Sequence, residues 1–331
     1  MSERLRLAPA LLIVALGVAL SLHLSPSRAG SAVDPATTRG VGGVAVTVRD
    51  MDRSVAFYST VLFFKTVSDV RTSGPELESR LGVAGARVRV VTMRLGAERI
   101  ELVEYLGRRA RSIPADGPTG GRGLQQIAIV VNDVDQAYLW LRRHHVAGIA
   151  PEPQPPPDSN PSAGGIRVFR FEDPDGHALA IVQFPPGEGD ARWQRPSDSV
   201  FLGIDHAALV VKNTERSLRF YRDTLGLRVV GGTENHEPEQ EPLNGVPGAR
   251  LRITTLRAAE GPAIELLEYL DPRDGRPYPR DTMRDDLARW RTVLVRTDAE
   301  DAAARLGAPL GVRDALTAED PDGYEVELRA R

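Results

Sequence analysis

An internal repeat is the feature that most limits what this chain can fold into. Residues 44–58 and 207–221 both read as an apolar strand, a polar cap and a helix that ends in Phe-Tyr. The cap is Asp50 in the first copy and Asn213 in the second, and both residue types favour helix N-termini. Further along, 100–106 matches 264–270 at the same offset of about 163 residues. The sequence therefore predicts a duplicated α+β unit.

A shorter strand–cap–helix unit recurs once in each half: at 127–141, capped by Asp133, and at 292–306, capped by Asp298. An Asp-Pro-Asp-Gly hairpin turn follows each unit, at 173–176 and at 320–323. Pro and Asp favour such a turn, and Gly supplies the positive φ that it needs. The chain is therefore predicted to hold four strand–helix–strand modules, paired two and two within each half.

The composition excludes several classes of function. The 331 residues are 41% hydrophobic and 26% charged with a net charge of -3, as in ordinary soluble globular proteins. A nucleic-acid partner is not expected, because binding to phosphate backbones needs a clustered surplus of Lys and Arg. The absence of cysteine excludes disulfides, thiolate metal sites and cysteine nucleophiles.

Residues 1–32 read as a targeting segment that lies outside the fold. Arg4 and Arg6 precede an apolar run from Leu7 to Leu24, and small residues follow it. This order is typical of an export signal, so we expect a mature protein outside the cytoplasm, secreted or periplasmic. The alternative is an uncleaved membrane anchor, since the run approaches the length that spans a bilayer.

From residue 40 onward the chain resembles the vicinal oxygen chelate superfamily, which includes glyoxalase I, extradiol dioxygenases and bleomycin-resistance proteins. No single motif is specific by itself, but four occur in register. The stretches that carry the resemblance are Asp205–Val210, Ser217–Leu227, Ile264–Leu266 and Asp320–Leu328.

The resemblance implies an α+β fold of four βαβββ modules, which form two open, cupped, eight-stranded barrels. It also implies an N-terminal domain at 40–184, a linker at 185–200 that is rich in Pro, Gly, Asp and Ser, and a C-terminal domain at 201–331. In this family a divalent metal sits in the cup. Its ligands are a His or Gln on the first strand and a Glu on the last strand of each module.

In the N-terminal half these ligand positions fall on Gly43, Glu101, Gln126 and Ala180. Gly43 has no side chain and Ala180 has no donor atom. One carboxylate and one amide bind a divalent metal weakly. We therefore expect a degenerate metal site in this half.

In the C-terminal half the positions fall on His206, Glu265, Arg291 and Glu327. The imidazole and two carboxylates form a candidate metal site. Arg291 is not a ligand, because its guanidinium has no lone pair; it is expected to line the substrate cup or to replace the metal outright. A slip of one residue in strand register would place Trp290 in the cup instead.

Two functions follow from the resemblance. The first is a lyase, isomerase or dioxygenase-like enzyme acting on a small oxygen-rich substrate. There His206, Glu265 and Glu327 hold Zn, Fe, Mn or Ni, and Glu265 or Glu327 acts as the catalytic base. The alternative is a metal-free protein that binds a small molecule, as bleomycin-resistance proteins do.

Other residues receive structural interpretations. Strand alternation makes Tyr269 a candidate for lining the cup beside Glu265. We expect His177, after the first hairpin turn, to face solvent. The loop that carries Arg108, Arg109 and Arg111 is expected to be solvated.

Overall fold

The computed structural model describes residues 38–113, 126–148, 152–153, 165–235, 250–271, 273, 282–297 and 315–330. Residues 1–32 and the cap predicted at Asp298 lie outside this part. No helix within the described residues is both long and apolar enough to cross a membrane. The described residues form a single compact unit.

The first half contributes seven described strands and three helices. The strands are β1 (Thr38–Thr47), β2 (Lys65–Ser73), β3 (Arg87–Leu95), β4 (Glu98–Tyr105), β5 (Gln126–Val131), β6 (Arg167–Glu172) and β7 (Ala178–Gln183). The helices are α1 (Met51–Ala56), α2 (Pro75–Leu81) and α3 (Val134–Arg143), and α1 runs on into a π-helical turn at Phe57–Val61.

The second half repeats this order. Its described strands are β8 (Phe201–Val210), β9 (Arg228–Asn235), β10 (Arg250–Arg257), β11 (Ala263–Asp271), β12 (Trp290–Arg296), β13 (Ala315–Glu319) and β14 (Glu325–Ala330). Helix α4 (Thr214–Leu218) also continues as a π-helical turn, at Arg219–Thr224.

Side-chain caps start three of the four helices, as predicted. Asp50 accepts a hydrogen bond from the backbone N–H of Arg53 at 3.0 Å, and Asn213 accepts one from Arg216 at 2.8 Å. Asp133 caps α3 in the same way at 2.9 Å. Each bond satisfies an N–H group that the first helical turn leaves without a partner. Both copies of the repeat therefore begin their helices at equivalent residues.

The strands form two open, mixed sheets. Sheet A has the order β13-β14-β12-β1-β4-β3-β2, and sheet B has the order β6-β7-β5-β8-β11-β10-β9. Each sheet has seven described strands rather than eight, because the second and fourth modules each contribute three strands in the described part. The two-sheet α+β architecture agrees with the fold that the resemblance implied.

The pairing of modules within each half was wrong. Sheet A joins the first module to the fourth, through the antiparallel pair β1–β12. Sheet B joins the second module to the third, through β5–β8. The register places Arg291 opposite Ala45 in sheet A, and Gln126 opposite Ala208 in sheet B. Both sheets therefore cross the predicted boundary between halves.

Two apolar clusters lie between the sheets, and each draws residues from both. The first packs α1 and α3 among strands such as β4, β7 and β8, and the second packs α4 among β8, β11, β12 and β14. Alternate strand residues point to the opposite, outer face of each sheet. On the outer face of sheet A, Leu77 and Leu81 of α2 cover Val88, Val103 and Tyr105.

The segment predicted as a linker is docked on the fold. It contains a 3₁₀ turn at Ala191–Gln194. The guanidinium of Arg192 contacts the buried carboxylate of Glu98 and lies 4.0 Å from the ring centre of Trp193. The indole N–H of Trp193 donates to Asp205 at 3.2 Å. These contacts tie the connection between halves to the start of β8.

Candidate functional site

The cross-half pairing divides the eight candidate ligand positions differently from the sequence interpretation. The outer face of sheet A carries Gly43, Glu101, Arg291 and Glu327, and that of sheet B carries Gln126, Ala180, His206 and Glu265. His206 and Glu265 thus share one face, while Glu327 lies on the other sheet. The three predicted ligands are not brought together. Within the described residues, no group of three or more His, Cys, Asp or Glu side chains is placed to hold a metal ion.

Arginines hold the carboxylates on the outer face of sheet A. Arg329 donates two hydrogen bonds to Glu101, at 2.5 and 2.7 Å, and a third to Glu327 at 2.8 Å. Nε of Arg291 lies 3.4 Å from the second carboxylate oxygen of Glu327. Two guanidinium groups therefore provide the positive charge that a metal ion provides at the equivalent family positions.

Arg291 lies on the outer face as its position in the repeat predicts. Its side chain is only 14% exposed. Burial lowers the pKa of Arg291, but the nearby charges of Glu327, Glu325 and Glu101 raise it overall, so the guanidinium stays protonated. Trp290 points the other way, into the core between the sheets. The register slip considered from the sequence does not occur.

Gly43 excludes a fourth ligand on sheet A. Its φ is +136°, in a region that residues with side chains rarely adopt. A Cβ atom built there overlaps the carbonyl oxygen of Arg99. The missing donor therefore cannot be restored by substitution alone, because any side chain at this position forces the backbone to shift.

A β-bulge shapes the site on sheet B. The register between β5 and β8 skips Asp205, because Ala128 faces His206 while Ile129 faces Ile204. Bulges re-aim side chains at functional positions. Here the carboxylate of Asp205 lies 3.0 Å from Nδ1 of His206. On the other side of the ring, Nε2 lies 3.3 Å from Glu265. The imidazole thus stands between two carboxylates.

Asp205 is firmly held as an anion. Besides His206, it accepts a hydrogen bond from Trp193 at 3.2 Å and one from Arg257 at 3.3 Å. Burial alone raises the pKa of Asp205, but the hydrogen bond and charge of His206, the charge of Arg257 and the hydrogen bond from Trp193 lower it to about 2. A carboxylate fixed in this way orients the imidazole.

His206 can hold or release a proton at Nε2, at the surface of the site. Burial lowers the pKa of His206, but the charge of Glu265 and the hydrogen bond that His206 donates to Asp205 raise it above its ordinary value. Glu265 also accepts a hydrogen bond from the Thr255 hydroxyl at 3.3 Å, and 20% of its side chain is exposed. The pair therefore offers one donor and one acceptor to a bound molecule.

An apolar wall adjoins these polar groups. Ala208 lies between Gln126 and Glu265 in the strand register. The wall continues along the same face through Val210, Leu251, Leu267 and Tyr269. Tyr269 lies on the same face as Glu265, four residues further along β11. The outer face of sheet B therefore combines a polar end with a buried apolar patch. A few polar groups beside apolar side chains are typical of small-molecule sites.

The residues present do not fit a divalent metal on either sheet. On sheet A, both carboxylates are paired with guanidinium groups. On sheet B, Ala180 supplies no donor, which leaves one imidazole, one carboxylate and one neutral amide. Arg170, opposite Ala180 in the register, adds a positive charge that interacts with Glu265. A cation beside a site of so few anionic donors opposes divalent metal binding.

The interpretation of His177 as a solvent-facing residue was wrong. Its side chain is fully buried: Nδ1 lies 2.8 Å from Asp173, and Nε2 lies 2.8 Å from the carbonyl oxygen of Leu287. Both partners are acceptors, so both ring nitrogens act as donors in the protonated ring. Burial lowers the pKa of His177, but the charge of Asp173 raises it overall. His177 therefore joins the second module to the fourth.

The arginine loop is exposed, as predicted, and two of its arginines also form ion pairs. Arg111 donates to both carboxylate oxygens of Asp286, and Arg108 lies 3.3 Å from Asp285. These ion pairs fasten the loop after β4 to the segment before β12.

Three residues of the outer faces were missed from the sequence. Arg329 lies two positions after Glu327, so strand alternation places both on one face, and this signal was available. Arg170 sits on a strand that the resemblance does not associate with ligands. Asp205 reaches His206 only because of the bulge, and no local sequence pattern predicts that bulge.

The chain matches the model of the Glyoxalase/Bleomycin resistance protein/Dioxygenase superfamily over residues 40–181 and 203–328. It belongs to this superfamily. No curated protein sequence matches the chain.

Solved structures show the same fold. Glyoxalase I from Zea mays aligns over 89% of this chain and 92% of its own, with 16% identity and a TM-score of 0.57. A putative dioxygenase from Bacillus subtilis subsp. subtilis str. 168 aligns over 89% and 86%, with 18% identity and a TM-score of 0.56. At these identities the likeness concerns the fold alone.

Proposed function

We propose that the chain binds a small molecule on the outer face of sheet B and does so without a metal ion. The observation that supports this proposal is the pairing of Glu101 and Glu327 with arginines on sheet A, together with the incomplete donor set on sheet B. The metal-dependent enzyme considered from the sequence relies on three ligands that lie on two different sheets. The metal-free alternative does not require these three side chains to lie close together.

The chemistry of the site favours a ligand with an apolar body and a polar or anionic head. Ala208, Val210 and Leu267 form a buried apolar patch on this face. His206 and Glu265 supply a donor and an acceptor at one end of it. A small number of polar groups that point to the same place fixes the orientation of a ligand. Burial of the apolar part of the ligand supplies binding affinity.

The location of this activity rests on residues 1–32. Export remains a prediction, since these residues lie outside the described part of the chain. An exported protein is exposed to extracellular or periplasmic molecules, and we propose that its ligand is one of these.

Metal dependence is tested by elemental analysis of protein purified without chelator, beside a His206→Ala variant. We expect negligible Zn, Fe, Mn and Ni in both. Stoichiometric metal in the parent protein that disappears in the variant contradicts the proposal.

Ligand binding is tested with anilinonaphthalene sulfonate, a fluorescent probe with an apolar body and an anionic head. We expect its affinity to be unchanged by dialysis against EDTA. Ala208→Leu adds bulk at the centre of the face and should weaken binding about tenfold or more. Ala45→Leu is the matched control at the equivalent position on sheet A, and it should leave the affinity unchanged. Loss of binding in both variants, or in neither, contradicts the assigned face. Thermal melts establish that each variant is folded.

A further inference from the structure

A cavity lies where the start of β1 meets the end of β10, and its lining includes neither His206 nor Glu265. Its volume is about 380 Å³, and its walls come from the start of β1, the start of β9 and the turn between β10 and β11. Arg39, Arg228 and Arg257 line it, whereas Glu260 is the one acidic residue among its described lining. The cavity therefore carries a surplus of positive charge.

The first two arginines are available to a ligand. Arg39 and Arg228 are exposed, and within the described ranges their side chains make no ion pair or hydrogen bond. Arg257 is ion-paired with Asp205 at 3.3 Å, yet 28% of its side chain remains exposed to the cavity. A guanidinium presents several N–H donors in one plane, so several can contact one anion.

The walls of the cavity are fixed by backbone bonds. The N–H of Val41 donates to the carbonyl oxygen of Glu260 at 3.0 Å, and the N–H of Glu260 donates to that of Arg39 at 3.0 Å. These bonds tie β1 to the β10–β11 turn. Arg39 and Arg257 are therefore carried by elements that do not need to move together before a ligand binds, which lowers the cost of binding.

A buried charge lies beneath the cavity. Arg296 is 0% exposed, and its guanidinium donates to the hydroxyl of Thr38, which lines the cavity. It also donates to the carbonyl oxygen of Leu225 at 2.5 Å. Arg296 therefore holds Thr38, a wall residue of the cavity, in place.

We propose that this cavity binds a small, multiply charged oxyanion of the phosphate type. Three arginines around one space match the geometry and charge of a phosphate group better than those of a monocarboxylate. Arg257 also donates to Asp205 of the outer-face site of sheet B, whereas Arg39 and Arg228 are not among the residues assigned to that site. Substitution of Arg39 and Arg228 therefore tests the cavity separately from the proposed function.

Calorimetric titration with inorganic phosphate tests the site, with ionic strength held constant by chloride. We expect saturable binding of one phosphate per chain, and weaker binding of acetate. Replacing both free arginines, Arg39→Gln with Arg228→Gln, should weaken phosphate binding at least about tenfold, because each removes charge-assisted hydrogen bonds. Arg71→Gln, an exposed arginine on β2, is the matched control and should leave the affinity unchanged.

Substitution of the acidic residue that lines the cavity should change the phosphate affinity in the opposite direction, which gives an independent test. Glu260→Gln should strengthen phosphate binding, because it takes away the negative charge that repels the ligand. The proposal is overturned if phosphate gives no more heat than chloride, if the double variant binds as the parent does, or if Glu260→Gln weakens binding. Equal melting temperatures of variants and parent in chloride show that the fold is intact.

Discussion

Arg329 and Glu101 are joined by two hydrogen bonds, at 2.5 and 2.7 Å, although 228 positions separate them in the sequence. Their strands, β14 and β4, are separated in sheet A by β12 and β1. Three strand spacings of about 4.8 Å exceed the combined reach of the two side chains in a flat sheet. The sheet must therefore curve around its outer face, and this ion pair spans the resulting concavity.

Loss of this ion pair should destabilise the fold. Arg329→Gln removes a positive charge, so the repulsion between the carboxylates of Glu101 and Glu327 is compensated less. Because Arg329 is one-third exposed, we expect a loss of roughly 1–3 kcal/mol in the free energy of unfolding, less than for a fully buried pair. Urea denaturation measures it. The double variant with Glu101→Gln should recover part of the loss, and additive effects of the two substitutions contradict the coupling.

The pH dependence of stability should contain a contribution from Asp320. Burial raises its pKa from 3.8 to about 6, despite hydrogen bonds from Tyr221 and from the backbone of Asp322 and Tyr324. Because the folded-state value is the higher one, the stabilising contribution of the protonated carboxyl is fully present below pH 3.8 and is lost as the pH rises through 6.

A shift of about two units corresponds to roughly 3 kcal/mol. We therefore expect thermal stability to fall between pH 4 and pH 8 more in the parent protein than in an Asp320→Asn variant, which does not titrate. Parallel pH profiles of the two proteins contradict this assignment.

The equivalent turn in the first half behaves differently because it contains a histidine. Burial tends to raise the pKa of Asp173, but the charge of His177 lowers it overall. His177→Gln removes a buried, charged donor to Asp173 and should cost roughly 2–4 kcal/mol at pH 6. His144→Gln, on the exposed end of α3, is the matched control and should cost little.

The sign of the pH effect follows from the raised pKa of His177. The stabilisation by protonated His177 is complete below its unfolded value of 6.5 and is lost as the pH rises through the higher folded value. The difference between parent and His177→Gln in urea denaturation should therefore shrink at alkaline pH. A constant difference across this range speaks against a charged His177.

Local features of the fold could be predicted from the sequence. Caps such as Asp50 and turns such as 173–176 depend on neighbouring residues only, and the structure has both. The alternation that placed Arg291 on the outer face is also local. The superfamily could be recognised because four such units stand in register.

The pairing of modules could not be predicted in the same way. β1 and β8 have similar sequences, so the sequence pattern allows β5 to pair with either strand. The structure shows that β5 pairs with β8. His177 illustrates the same limit, since its partner Leu287 lies 110 positions away. The division of the candidate site between two sheets follows directly from this choice.

The measurement that most directly tests the account is therefore disulfide formation between introduced cysteines. The chain has none of its own, so a single new pair is unambiguous. Gln126 faces Ala208 in the observed register, whereas Ala45, the equivalent residue of the first module, faces Gln126 if modules pair within each half. Cross-strand partners lie within the Cα separation that a disulfide requires.

Mass spectrometry after oxidation and thiol alkylation counts the free thiols, and Gln126→Cys alone serves as the folding control. We expect an intramolecular disulfide in the variant carrying Gln126→Cys and Ala208→Cys, and two free thiols in the variant carrying Gln126→Cys and Ala45→Cys. The reverse result contradicts the cross-half pairing, and with it the separation of His206 and Glu265 from Glu327.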